Sequence, residues 1–166
     1  VGFETTTPLV AMAIKRARAM GLTNFTVYGA HKNMPGALEV IINDPALKLD
    51  ALILPGHVST IIGAEPYRFL AEKYGIPGVI TGFEPVDVLQ GIAMIMRQLH
   101  EGRAEIEIAY ARGVMPEGNP VALAAIDEVF ETCSATWRGL GEIPGSGYCI
   151  REEFADFDAM RRFQPD

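Results

Sequence analysis

The chain has 166 residues, 49% of them hydrophobic and 21% charged, with a mean hydropathy of +0.16, a globular composition that excludes a long disordered tail as its main feature. Fourteen Lys and Arg against 21 Asp and Glu leave a net charge of −7, which argues against a phosphate-backbone footprint and so against nucleic acid as partner. No apolar run approaches the ~20 residues that span a bilayer, nothing resembles a secretory leader, and two cysteines, Cys133 and Cys149, are too few for a disulfide-framed scaffold.

The expected setting is therefore a reducing cytoplasm with no membrane contact, and the two cysteines read as unrelated small hydrophobes. Area scaling lets an 18.0 kDa chain bury roughly 70% of its extended surface, enough for one domain without staples. The chain opens at Val1 without a methionine and runs straight into Gly2-Phe3-Glu4-Thr5-Thr6-Thr7-Pro8. That reads as a piece cut from something longer, with Val1 ending a strand.

In chain order, Val10, Ala13, Ile14, Ala17 and Met20 fall at helical spacing, with Thr7 as cap, Pro8 at the first helical position and Gly21 as stop. Asn24 to Tyr28 is a short β-rich run, and a loop through His31 leads to a helix over about Pro35 to Asn43. Ala51 to Leu54 is an apolar strand, ending in a loop that carries His57, Ser59 and Thr60; a helix follows over about Glu65 to Tyr74. Gly78 to Thr81 is the next strand. Gly82-Phe83-Glu84-Pro85 then turns into a helix whose apolar stripe is Val88, Leu89, Ile92, Ile95, Met96 and Leu99. Beyond about residue 100 the pattern weakens: Glu105 to Tyr110 alternates, Pro120 to Thr132 is helical, and the Gly-rich stretch around Trp137 predicts an edge strand before a short helix near Glu153 to Phe163. Apolar strands alternating with helices predict an α/β fold. Its expected form is a three-layer α/β/α domain with an open, mostly parallel, Rossmann-like sheet over residues 1–166, regular to about residue 100.

In such a sheet the strand-to-helix loops share the carboxyl edge, where ligands bind. Glu4, His57 and Glu84 are the candidate catalytic groups on that rim, with Thr5, Thr6 and Ser59 as candidate ligand-binding hydroxyls. Each has a plain structural alternative: Thr6 or Thr7 as a helix cap, Glu84 as a carboxylate favoured at a helix start, His57 as a bond across the tight Pro55-Gly56 turn, His31 as a solvated loop residue. Phosphate-loop, dinucleotide and nucleophile-elbow motifs are absent.

Four segments carry a resemblance: Gly2 to Pro8, Pro55-Gly56-His57-Val58-Ser59-Thr60-Ile61-Ile62-Gly63, Gly82-Phe83-Glu84-Pro85-Val86-Asp87-Val88-Leu89-Gln90, and Trp137-Arg138-Gly139-Leu140-Gly141-Glu142-Ile143-Pro144. Their order and spacing resemble the HypD family of hydrogenase formation proteins. The resemblance implies a cytoplasmic scaffold for [NiFe] hydrogenase maturation. A HypC-like chaperone would help hold iron while cyanide and carbonyl ligands are installed, with cyanide from a HypE-like donor. It also implies a parent protein with a [4Fe-4S] region, whose thiol motifs would precede Val1 and whose cluster cysteines would follow Asp166. No metal-ligand role passes to Cys133 or Cys149, and no cofactor is expected on residues 1–166. The alternative is an autonomous small-molecule-binding domain or enzyme using the same rim.

Overall fold

A computed structural model describes residues 2–164, so the expected strand end at Val1 lies outside the described residues. The chain divides into two compact units. Unit 1 comprises Val1–Ala37 with Val121–Asp166, and unit 2 comprises Leu38–Pro120.

Unit 2 carries a parallel sheet in the order β2 (Leu52–Pro55), β3 (Gly78–Thr81), β4 (Ile106–Ile108), with Leu52 opposite Gly78 and Gly78 opposite Ile106. β3 is wholly buried, as an apolar central strand of a parallel sheet should be. Helices α3 (Gly56–Ile62), α4 (Arg68–Tyr74) and α5 (Pro85–Glu101) follow the strands. Successive strand residues face opposite sides. Val79 and Thr81 meet Gly91 of α5, whereas Leu54 and Ile106 close over Gly78 on the other face. This is the predicted α/β, Rossmann-like arrangement.

Two local expectations in unit 2 are corrected. The residues after Pro55 form helix α3 rather than a loop, begun by Gly56, where a Cβ would stand 2.2 Å from the Thr81 carbonyl oxygen. The face of α5 turned inward is Asp87, Gly91, Ile95 and Gln98, so of the predicted stripe Ile95 is buried, while Leu89, Ile92, Met96 and Leu99 are between 66% and 41% exposed. The inward polar residues are there because they bind. Gln98 accepts the Glu105 N–H at 2.8 Å and donates to Glu107 at 2.9 Å, fixing the start of β4.

Unit 1 begins with α1 (Thr7–Ala19), where Thr7 and Pro8 start the helix and Ala11, Ile14 and Ala17 are buried. Its sheet is antiparallel, in the order β1 (His31–Lys32), β6 (Gly141–Ile150), β5 (Phe130–Trp137). The Gly-rich tail thus forms a long hairpin, where the sequence predicts only an edge strand. Helix α6 (Pro120–Val129) stops at Val129, and Phe130 to Thr132, read as helical, already pair with β6. Asn24 to Tyr28 make only the bridge between Val27 and Asp158. Val27 donates to the Phe157 carbonyl and accepts from Ala159 N–H, so the chain's last turns take its hydrogen bonds and no ladder grows. Helix α2 (Met34–Ile42) leaves unit 1, and α7 (Ala159–Phe163) closes it with Asp158 capping the Met160 N–H.

Cys133 and Cys149 are joined as a disulfide, which corrects their reading as unrelated residues. Glu131 pairs with Cys149 and Cys133 with Gly147, so the two cysteines are diagonal neighbours across β5 and β6, and their Cα atoms lie 5.9 Å apart. Among the described residues no helix is long and apolar enough to cross a membrane.

Candidate functional site

In unit 1 the segment from Gly2 to Pro8 is a tight turn into α1. The Thr6 and Thr7 hydroxyls both donate to the Phe3 carbonyl, at 3.2 and 2.9 Å, and a side chain on Gly2 would collide with Thr6 Oγ1 at 2.0 Å. The turn folds Glu4 inward to zero exposure. Its Oε1 accepts the Met34 N–H at 2.8 Å, placing a carboxyl at the amino end of α2, where the helix dipole favours negative charge. Its Oε2 is buried without a partner among the described residues. Burial nonetheless pushes the Glu4 carboxyl above its ordinary range, only partly offset by that backbone bond. Burial and the neighbouring Glu4 also push the Tyr148 phenol upward. His31 sits opposite Tyr148 in the β1–β6 pairing. It is 4% exposed rather than solvated, packs edge-on against Phe130 with centroids 6.0 Å apart, and is held by burial below the usual imidazole value. Thr5 is half-buried and Thr6 exposed.

In unit 2, α3 presents His57 to solvent with its ring against Phe83, centroids 4.4 Å apart. Ser59, two residues along and so on the other side of the helix, is fully buried and donates to the Pro55 carbonyl at 2.9 Å, so its hydroxyl fastens α3 to β2. Glu84 is exposed, 3.3 Å from Arg112. The sequence reading missed Arg112 and gave Asp87 no role. Arg112 reaches both Asp87 oxygens at 2.7 and 2.6 Å, a two-pronged geometry that holds the Asp87 carboxyl below its usual range. Its guanidinium also lies 4.6 Å from the centre of the Tyr110 ring. A Cβ on Gly82 would meet Asp87 Oδ2 at 2.0 Å, so the Gly-Phe-Glu segment fits only because that residue has no side chain. The signal available in the sequence was Asp87 itself, the acid in the first turn of α5.

Glu4, Thr5 and Thr6 therefore belong to unit 1, and His57, Ser59 and Glu84 to unit 2. Within unit 2, Phe83 links the neighbourhoods of His57 and Glu84. As to a [4Fe-4S] group, both cysteines are spent on the disulfide, and no cluster of three or more metal-ligating side chains occurs among the described residues. That donor set does not fit such a cluster.

A family model for HypD, described as the hydrogenase formation hypA family, matches residues 1–166. This chain belongs to the HypD family. It is 50% identical to the hydrogenase maturation factor HypD of Rhodobacter capsulatus, over 98% of this chain and 44% of that one. It is 49% identical to the hydrogenase expression/formation protein HupD of Azotobacter chroococcum mcd 1, over 98% of this chain and 45% of the other. The hydrogenase maturation factor HypD of Azotobacter vinelandii is 48% identical with the same coverage. The chain thus spans about half the length of these HypD-family relatives, and the motif segments quoted above all fall within the match.

Proposed function

We propose that this HypD-family chain serves hydrogenase maturation in the cytoplasm by forming part of the cleft in which iron, as cargo, is held while its cyanide and carbonyl ligands are installed. The observation that carries the reading is the match to a hydrogenase maturation factor at 50% identity over 98% of the chain. A HypC-like chaperone would share the iron, and a HypE-like protein would deliver cyanide.

Chemistry divides the candidate residues. His57 and Glu84 are exposed and can donate or accept protons, or hydrogen-bond a cyanide nitrogen, as ligands arrive. Glu4 is buried, so it would hold a proton and orient its neighbours from beneath. Thr5 and Thr6 offer hydroxyls near the turn, while Ser59 fixes the position of α3. Low-valent iron prefers soft thiolates, and these harder groups suit the surrounding layer that orients such ligands.

The test uses a full-length Rhodobacter capsulatus relative in which this chain replaces the matching 44%, expressed in a host lacking its own HypD-family protein. The parent chimera should restore hydrogenase activity. His57→Ala and Glu4→Gln should each lower it at unchanged protein level. Full activity in both variants would remove these residues from the function; failure of a folded parent chimera would remove the proposal itself.

A further inference from the structure

Strand β4 is one of the two outer strands of the unit 2 sheet and, among the described residues, pairs only with β3. The pairing of Gly78 with Ile106 and Ile80 with Ile108, with Gly78 N–H bonded to the Glu105 carbonyl and Ala109 N–H to the Ile80 carbonyl, fixes which backbone groups are used. In a parallel ladder of that register the groups of Glu107 turn toward β3. The N–H and C=O of Ile106 and Ile108 therefore turn away from the sheet, with no neighbouring strand among the described residues. Four unpaired backbone groups in a row are a template for one more strand.

That edge borders a groove. Ile106 and Ile108, Ala71 of α4, Ala64 and Pro116 give it an apolar floor, with a volume of about 380 Å³. Its charged lining is lopsided: the carboxylates of Glu65, Glu72 and Glu105 stand against the single guanidinium of Arg68, which is tied to Glu65 at 2.6 Å. Glu105 shares Arg103 with Glu101 and Glu107, so that arginine is already committed three ways.

From this we infer that the β4 edge of unit 2 is a docking site for an extended, basic segment of a partner protein, added as a fourth strand beside β4. Main-chain bonds to Ile106 and Ile108 would supply affinity, a medium apolar side chain would fill the groove, and neighbouring Lys or Arg would answer the glutamates. A second copy of this chain fits poorly. Pairing β4 with itself brings two sets of Glu105 and Glu107 onto one short ladder, and like charges across strands repel. The inference stands on unit 2 alone and does not depend on the maturation role.

The test titrates the chain with the acetylated, amidated peptide Lys-Val-Lys-Val-Lys and follows backbone amides by NMR. Saturable binding is expected, with the largest shifts and new exchange protection at the Ile106 and Ile108 amides. The double variant Glu72→Lys, Glu105→Lys should weaken binding about tenfold or more, since both residues are exposed and charge pairing across the edge is lost. A peptide N-methylated at both valines should not bind, and Glu-Val-Glu-Val-Glu should not bind. The inference is overturned by undiminished binding of the N-methylated peptide, by indifference to the charge reversal, by shifts centred elsewhere, or by no binding. Concentration-dependent dimerisation of the free chain with protection at Ile106 and Ile108 would overturn it in favour of self-pairing.

Discussion

Glu4 shows what burying a carboxyl does to a fold. Its Oε1 is satisfied by the Met34 N–H, but Oε2 is sealed without a partner among the described residues, so burial raises the carboxyl's affinity for its proton above that of an exposed glutamate. The sign of the consequence follows from proton binding. Above the ordinary value of 4.5 the unfolded chain has lost this proton while the fold retains it. Stability therefore falls as pH rises through the interval between that value and the raised one. His31 acts oppositely: burial keeps it neutral, so its contribution is lost as pH drops below the ordinary 6.5. Glu4→Gln keeps an acceptor for Met34 and should flatten the fall in urea-denaturation stability as pH rises above 4.5. Glu4→Ala strands that N–H and should cost about 1–3 kcal/mol at pH 5. An unchanged slope in the Gln variant would show that Glu4 is ionised in the fold.

At the scale of elements, α5 inverts the usual assignment of apolar residues to the core. Periodicity alone marks Leu89, Ile92, Met96 and Leu99 as inward, and it cannot register that Arg112 and the start of β4 need polar partners. Gly91 permits contact with Thr81, Asp87 anchors Arg112, and Gln98 satisfies the backbone and side chain at the start of β4. The energetic prediction separates the two faces. Met96→Gln, at a site 59% exposed, should change stability by less than about 0.5 kcal/mol. Gln98→Ala, at a site with zero exposure, strands the Glu105 N–H and should cost about 1–3 kcal/mol. Equal losses in chemical denaturation would mean that the apolar face, not Gln98, holds the helix in place.

For the molecule as a whole, the parallel sheet of unit 2 was legible because β2 and β3 are short apolar runs between helix signals, a pattern with few other solutions. The hairpin of unit 1 was not. Strand β6 runs through three glycines, the first residues of β5 continue the helical pattern of α6, and the neighbouring β1 is two residues long, so neither alternation nor propensity marks the hairpin. The same limit hid part of unit 2's polar arrangement: motif segments disclosed His57 and Glu84, as they did Glu4 in unit 1, but Arg112 reaches Asp87 from 25 residues away, and no local pattern encodes that meeting. Nor does spacing reveal the disulfide, because residues 16 apart meet only once the hairpin register is set. This bond makes the two-unit division measurable. It closes a loop wholly inside unit 1, and loops of about 15 residues are stabilised by roughly 3 kcal/mol when crosslinked, mainly by restricting the unfolded chain. A reducing compartment would withdraw that contribution. Dithiothreitol should therefore raise amide exchange in β5, β6 and β1, leaving β2, β3 and β4 unchanged. Cys133→Ser with Cys149→Ser should reproduce the effect without reductant. If exchange rises equally in both sheets, unfolding is a single cooperative event and the stability of unit 2 depends on unit 1; if it rises in neither, the hairpin ladder alone holds the two cysteines together.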